Sequence, residues 1–546
     1  MQWNYLYKGE VESWEQLLSV LLKNRKIPTS KDQKLSFTDP NTINPKQVGI
    51  NLTELEKSIK RIKKAISNNE KIVVVGDYDA DGICATAILW ESLVALEANV
   101  DTFIPHREKH GYGLSEKALD DLLKDSKPGL VITVDNGIVA HKPVKKLVKL
   151  GIDVIITDHH IPENELPEAF AVVQTSKLCG AGVAWFLSKE LSSEVAAEQL
   201  DLLTIATVAD MVPLTNSNRD IVKFGLKQLN KTKRLGLKKL IKTARLQGKE
   251  IDSRAVGFLI GPRINAMGRL KHGKKALDLL INNDHKLSEE FAAELNVTNE
   301  ARKDLTSSLV LQAEKQVVKQ KDEHLLVIGS KEFHEGVIGL IAGRISKKFN
   351  KPCLVFSIRE KVAKASGRSV PGVNIIEFLR QFKEDVLEMG GHPMAAGLST
   401  ETSGLKDLVK KMRAKAKKVI LEDQLVAKLS IDCQLPFSYL TLKLKKLINE
   451  LEPYGQANPT PCFAVSGVSI KFNKILGRNK DHLKLVVTNS RSNSLIECLM
   501  WNKGDLSTNY PVGSKIDIVG SISINEWNGR KKIQLIVKDI KKSISE

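Results

Sequence analysis

A chain of 546 residues is too long for one hydrophobic core and is expected to divide into three or four domains. Its 42% hydrophobic content is that of an ordinary globular protein, no run approaches the roughly 20 apolar residues of a membrane span, and its six cysteines are scattered singly. A membrane helix, a disulfide framework and a CxxC zinc ribbon are therefore excluded, while 83 basic against 64 acidic residues, a formal charge of +19, favour a polyanionic partner.

The N-terminal stretch MQWNYLYKGEVESWEQ lacks the apolar segment of a secretory signal, which gives the expectation of a cytoplasmic protein. Residues 1–50 read as an N-terminal arm, with a short amphipathic helix from Trp14 to Leu22 and prolines at 28, 40 and 45 interrupting the remainder. Glu54 to Ser67 is a basic amphipathic helix, since Leu55, Ile59, Ile62 and Ile66 recur at helical spacing; its lysines read as a solvated face.

Ile72 to Val75 is a β-branched run suited to a strand buried on both faces. It leads to Asp77, Asp79 and Asp81, then Gly82, and the chain enters the helix-forming run Ile83 to Leu96. Val100 to Ile104 is the next strand, and Arg107 and a Gly-Tyr-Gly turn at 111–113 come after it. Leu130 to Val134 ends on Asp135-Asn136-Gly137, and Val154 to Ile156 leads to Asp158-His159-His160. Another strand begins near Ala171, and Asp210 follows a helical stretch from Ala196. Helices between the strands make this a doubly wound parallel sheet, which brings the aspartates to one edge.

Carboxylates about 4 Å apart repel by roughly 4 kcal/mol per pair at an effective dielectric near 20, so such a cluster needs cations. Aspartate oxygens with one or two imidazoles suit Mn²⁺ or Mg²⁺ better than a structural zinc. Two ions roughly 3.5–4 Å apart activate water and steady the leaving oxygen of a phosphoester. Residue chemistry alone thus reaches a metal-dependent phosphoesterase.

Further on, Cys179-Gly180-Ala181-Gly182 opens a helix whose free amides are suited to cradling a phosphate. In GPRINAMGRL, Arg263, Asn265 and Arg269 read as a cationic loop of low bulk for gripping a sugar-phosphate backbone. Residues 286–322 contain neither proline nor glycine and form one long amphipathic helix bridging two domains. A second α/β unit comes next, with a strand at 325–328, a helix at 336–349 and a strand at 353–357. In it Ser366 and Arg368, two apart on an extended segment, share a face for a terminal phosphate, and His392 follows two glycines that permit close approach. From residue 424 onward there are 18 Lys and Arg against 10 Asp and Glu, and five short strands separated by turns suit a β-barrel with Trp501, Tyr510 and Trp527 as candidate base-stacking platforms.

GDYDADG, VDNG, TDHH and VADMVPL succeed one another in that order, with GPRINAMGRL and GGHPMAAG beyond them. Together they resemble the DHH phosphoesterase superfamily and, within it, the bacterial single-stranded-DNA exonucleases, from about Asp39 to the C-terminus. The resemblance implies an arm at 1–50, a DHH domain with a helical insertion at 51–285, a connecting helix at 286–322, a DHH-associated domain at 323–423 and an OB-fold barrel at 424–546. It implies two Mn²⁺ or Mg²⁺ ions held by Asp79, Asp81, Asp135, His159 and Asp210. Asp77, Asp158 and His160 then stand behind these ligands or touch the scissile phosphate. Arg107, Ser366 and Arg368 are expected at a 5′ phosphate, and Arg263, Asn265, Arg269 and His392 against the strand. The implied activity is 5′-to-3′ degradation of single-stranded DNA to mononucleotides in repair and recombination. Expected partners are a single-stranded-DNA-binding protein and a helicase, without a membrane, for a monomeric enzyme. The alternative is a phosphodiesterase of the same superfamily acting on short oligoribonucleotides or cyclic dinucleotides, whose members are normally shorter and lack the barrel.

Overall fold

The computed structural model describes residues 1–27, 37–162, 165–489, 494–527 and 529–543. It comprises two compact units: Asp39–Val212 with Phe224–Val426, and Met1–Thr38 with Pro213–Lys223 and Ala427–Glu546.

The larger unit starts from short runs of branched aliphatic residues. Ile72–Val75 and Leu130–Val134 are buried at every position, as strands covered on both faces must be. Five parallel strands pair in the order Val100–Phe103, Ile72–Val75, Leu130–Val134, Asp153–Asp158, Ala171–Gln174. The winding therefore reverses between Ile72–Val75 and Leu130–Val134, and doubly wound sheets take ligands in the crevice outside the carboxyl ends at such a point. Val73, Val75, Val131, Val154 and Ile156 bury one face against Leu119, Leu122, Val144 and Leu147 of the helices Glu116–Asp125 and His141–Lys149. The helices Ala80–Ala95 and Gly180–Leu191 pack on the sheet and on each other.

GPRINAMGRL, expected as a loop, is the helix Gly261–Leu270, entered from a π-helical turn at Val256–Ile260. Pro262, which has no N–H to donate, stands where the π-helical turn gives way to the α-helix. Gly268 serves close packing, since a Cβ there would collide with the Tyr78 carbonyl oxygen. The long helix runs His285–Val317, and Asp284 caps it by accepting from Lys286 N and Leu287 N at 2.8 Å each.

A second sheet orders Glu388–His392, Ala395–Glu401, Val362–Arg368, Cys353–Ile358 and Leu326–Ser330; the last pair is parallel and the others antiparallel. The helix Glu335–Phe349 packs between this sheet and the long helix.

In the smaller unit, strands Phe463–Leu476, His482–Thr488, Ile496–Met500, Lys515–Trp527 and Arg530–Lys542 form a barrel that closes where Phe463–Leu476 pairs with Lys515–Trp527. Residues 1–38 are not a free-standing arm but belong to this unit. Gln2–Tyr5 pairs in parallel with Lys428–Ile431. The helix Trp14–Asn24 buries Leu17, Val20, Leu21 and Leu22 in the barrel's own core. Arg25 then closes on Asp432 through two bonds, Nη1–Oδ1 at 2.6 Å and Nη2–Oδ2 at 3.0 Å. Tyr510 packs on that core and donates to the Ile540 carbonyl, so it is no stacking platform. Trp501 is 55% exposed beside His482, and the Trp527 side chain lies outside the described parts.

Candidate metal centre and phosphate pocket

The first strand delivers Asp77 to the crevice, and the turn after it is shaped by hydrogen bonds. Asp79 caps the helix Ala80–Ala95 through Oδ1, which accepts from Asp81 N at 2.9 Å and Gly82 N at 3.1 Å. Gly82 is required, because a Cβ there would press on the backbone of Asp77. Asp81 points to the start of the helix Gly180–Leu191 and takes its amides, Gly180 N at 2.7 Å and Ala181 N at 2.8 Å. The glycine-rich entry at Cys179–Gly182 therefore grips a carboxylate of the motif, not the phosphate expected there. Gly180 also lets Asp135 approach, since a Cβ would collide with its carboxylate.

Asp135 leaves its strand in the left-handed region, φ 61°. Beside it Asn136 ties strand ends together, donating to Val75 O and Val134 O and accepting from Leu114 N. His159 Nε2 stands 3.2 Å from Asp135 Oδ1 and 3.8 Å from Asp81 Oδ2, and its Nδ1 is 3.8 Å from Asp210 Oδ2. Three overlapping sets bring ligand atoms within 4.8 Å of one another: Asp135, His159 and His160; Asp81, His159 and Asp210; Asp77, Asp79 and Asp135. Asp77 and His160, expected behind the ligands or at the scissile phosphate, have side-chain atoms within reach of two of these sets.

Asp158 turns away from these sets. Its Oδ2 accepts from Ile138 N, and its Oδ1 from His159 N and His160 N and from His160 Nδ1 at 2.7 Å. It holds the backbone at both histidines and the ring of His160. Burial opposes its charge, but the His160 bond outweighs this and holds the carboxyl below its usual range, while the same bond raises His160 against the effect of burial. Tyr112, from the Gly-Tyr-Gly turn, donates to Asp135 O at 3.0 Å and lies 3.2 Å from His160 Nε2.

The remaining carboxylates carry surplus negative charge. Burial, then repulsion from Asp79, pushes Asp77 up to about 8. Burial, then Asp81 and Asp79, pushes Asp210 up to about 9, and burial followed by neighbouring carboxylates raises Asp81 and, more strongly, Asp135. Burial lowers His159 against the pull of Asp81, toward the neutral form that can ligate a metal. Asp77 Oδ1 and Asp135 Oδ1 are buried without a hydrogen-bond partner. Oxygen-rich, mutually repelling and short of donors, the set fits divalent cations.

Guanidinium groups stand on the other side. Arg107 donates to Gly268 O at 3.1 Å and lies 4.1 Å over the Tyr78 ring. Arg269 donates to Gly336 O at 3.2 Å; burial, then the charge of Arg107, lowers it to about 10 against the attraction of Asp79. Arg368 Nη1 donates to Ser366 Oγ at 3.1 Å, so the pair shares a face as their spacing predicts. Gly339, on the facing helix, leaves space there, since a Cβ would stand 3.1 Å from both Ser366 Oγ and Arg368 Nη2. His392 lies within electrostatic reach of Arg368 and His160.

Two expected residues are used elsewhere. Arg263 donates to Asn296 Oδ1 at 3.0 Å and to Leu259 O at 2.6 Å, bracing its helix on the long helix. Asn265 Oδ1 accepts from Ala80 N at 2.8 Å and so anchors the aspartate turn. Tyr112 was missed as an individual residue, although its place between two glycines after a strand end is a readable signal.

Known proteins share this arrangement of domains. The N-terminal domain of the DHH family matches residues 71–207, the DHHA1 domain residues 322–418 and the RecJ OB domain residues 431–539. The single-stranded-DNA-specific exonuclease RecJ of Bacillus subtilis is 37% identical over 542 residues, 96% of this chain and 67% of that protein. Its counterpart in Haemophilus influenzae is 30% identical over 569 residues, 97% of this chain and 96% of that protein. The crystal structure of RecJ in complex with Mn²⁺ from Thermus thermophilus superposes with a TM-score of 0.83 at 27% identity, over 100% of this chain and 80% of that one. The complex of the same protein with Mg²⁺ gives 0.79 at 26% identity, over 100% and 79%.

Proposed function

We propose, for a chain that belongs to the RecJ family of DHH phosphoesterases, a metal-dependent exonuclease that degrades single-stranded DNA from the 5′ end to mononucleotides in repair and recombination. The observation that carries the reading is Asp135: it belongs to two of the three ligand sets, and its Oδ1 is buried without a hydrogen-bond partner. Divalent ions such as Mn²⁺ or Mg²⁺, when bound, supply an activated water and stabilisation of the leaving oxygen.

The protein's own residues do the rest. Asp77, Asp79, Asp81, Asp135, His159 and Asp210 hold the ions, and Asp158 fixes the His160 imidazole and the backbone at His159. His160, raised by Asp158 and half-exposed, presents a proton donor toward the scissile phosphate. Arg107, Arg269, Ser366 and Arg368 receive the 5′ phosphate and thereby place the first internucleotide linkage at the carboxylates, and His392 closes that side. Arg263 and Asn265 position the neighbouring elements. The barrel, with exposed Trp501 and Phe472, provides a further single-strand surface.

No helix among the described residues is long and apolar enough to cross a membrane. The reading extends to a monomeric cytoplasmic enzyme working with a single-stranded-DNA-binding protein and a helicase, on the strength of the family resemblance alone. The test is degradation of 5′- and 3′-labelled single and double strands with Mn²⁺, Mg²⁺ or chelator. The 5′ label is expected to leave first, from single strands and only with metal. Asp135→Ala should abolish cutting while DNA binding stays measurable; retained turnover would remove the mechanism.

A further inference from the structure

Among the described residues, the three most exposed large apolar side chains are Ile161 at 77%, Phe258 at 72% and Met211 at 67%. They are far apart in sequence, yet all three adjoin one side of the carboxylate crevice. Ile161 follows His160 and Met211 follows Asp210, and the 3.8 Å between His159 Nδ1 and Asp210 Oδ2 brings these two segments together. Phe258 is the middle residue of the π-helical turn Val256–Ile260, which packs on the end of the helix Leu200–Ala209 that leads to Asp210. A Cβ on Gly257 would stand 3.5 Å from Val208 Cγ1, and one on Gly261 would stand 3.2 Å from Ala209 Cβ. Single exposed apolar residues are ordinary on a protein surface, but several beside one crevice mark a binding surface. The backbone is unusual at two of them: Met211 lies in the left-handed region, φ 62°, and a π-helical turn is a rare interruption found mostly at functional sites.

Contacts along the helix Gly261–Leu270 fix where these residues lie relative to a bound strand. At its C-terminal end Gly268 O accepts from Arg107, and Arg269 reaches Gly336 O. In its middle Asn265 accepts from Ala80 N of the aspartate turn. At its N-terminal end Gly261 meets Ala209, next to Asp210. The phosphate pocket, the carboxylates and the apolar residues therefore come in that order along about 12 Å of helix. A strand with its 5′ phosphate among the arginines and its first linkage at the carboxylates runs on toward the apolar residues.

We propose that Ile161, Met211 and Phe258 form an apolar lip that packs against the nucleobases immediately 3′ of the cut, an inference that rests on the exonuclease reading of the crevice. Phosphates and sugars offer such a lip nothing, whereas every base has a π-face, so the grip is independent of sequence. A duplex keeps those faces within its own stack. The lip thereby favours an unpaired strand at the point where the carboxylates act.

Binding to the full chain without metal tests it, with two 5′-phosphorylated single strands: one complete, the other abasic at the two nucleotides after the first linkage. Phe258→Ser, and separately Ile161→Ser with Met211→Ser, should bind the complete strand roughly tenfold more weakly, the loss of about one stacked base. The abasic strand should bind each variant as it binds the parent, and the salt slope should not move, because no phosphate contact is removed. All three side chains are exposed, so the variants are expected to fold. Equal affinity of the parent for the two strands, or an equal loss on both strands in the variants, overturns the lip. Unchanged strand binding with lost self-association in sedimentation overturns it too, and assigns the surface to a second copy of the chain. The titration needs no cutting, so base-dependent binding supports the lip even where labelled strands go undegraded, and the two readings fail separately.

Discussion

The larger unit buries two groups of charges that differ in one respect. Arg234 is held by Asp201 Oδ1 at 3.0 Å and by both oxygens of Glu91, one of them at 2.9 Å; Thr232 donates to Asp201 Oδ2 at 2.7 Å and Gln199 to Glu91 Oε2 at 3.2 Å. Burial alone would lower Arg234, but Asp201 and Glu91 outweigh it and raise it. At the crevice, among the described residues, five aspartates form no ion pair with a lysine or arginine and only two imidazoles stand beside them, and two carboxylate oxygens lack any hydrogen-bond donor. The first group is complete without a ligand. The second, equally buried, is completed only by something that binds, and this separates a structural ion network from a site.

Substitution should therefore act oppositely in the two places. Asp135→Asn removes repulsion that Asp81 and Asp79 now exert. It should lower the hydrolysis rate by three orders of magnitude or more, on the order of the loss when one member of a catalytic unit is removed, yet leave the metal-free thermal midpoint unchanged or higher. Arg234→Met should do the reverse, costing about 3–5 kcal/mol of stability because two buried carboxylates lose their cation, while the folded fraction keeps its turnover. A metal-free Asp135→Asn protein that melts well below the parent would erase the distinction.

The contrast also has a pH signature. Asp77 and Asp210 titrate near 8 and 9 in the folded, metal-free protein, well above the range of about 4 for an unfolded aspartate. Folded protein then holds more protons than unfolded protein across that interval, so stability from these groups is full below about pH 4 and is lost as pH rises through 8 to 9. Metal-free protein should melt progressively lower between pH 5 and pH 9, with Asp77→Asn flattening the slope. Mn²⁺ should reverse the trend, since binding displaces these protons. Arg234→Met should leave the slope as it is.

The crevice was legible because its signal is local. Except for Asp210, which ends a helix, the aspartates follow short β-branched runs, and parallel pairing carries those ends together whatever the loops do. What was not legible depends on partners distant in sequence. Whether Arg263 faces substrate or Asn296 is decided by how one helix rotates on another, and the glycines of GPRINAMGRL read as loop residues although Gly268 serves a close approach to Tyr78. The start of the chain looked like an arm because Gln2–Tyr5 has its partner at Lys428–Ile431, a pairing that neither short segment announces. Asp77, expected behind the ligands or at the scissile phosphate, lies within reach of Asp79 and Asp135, a grouping set by how the turn after its strand folds back.

The smallest expected effect concerns charges that are neither buried nor clustered. The helix Leu52–Ser67 carries five basic residues, of which Lys60 pairs with Glu56 at 2.7 Å with both side chains largely exposed, and Lys57 lies 4.9 Å over the Phe170 ring. Arg61 faces inward and holds Asp153 and Glu70 at 2.6 and 2.7 Å. Water and salt screen an exposed pair of this kind, so Lys60→Gln should leave the thermal midpoint indistinguishable from the parent's. If the outer lysines touched DNA, each one removed would reduce the salt slope of binding by about one. Because Lys60 and Lys57 already have intramolecular partners, Lys57→Gln with Lys60→Gln should leave that slope unchanged, whereas Arg368→Ala should reduce it. A drop of about two in the slope for the lysine pair would extend the strand's path onto this helix.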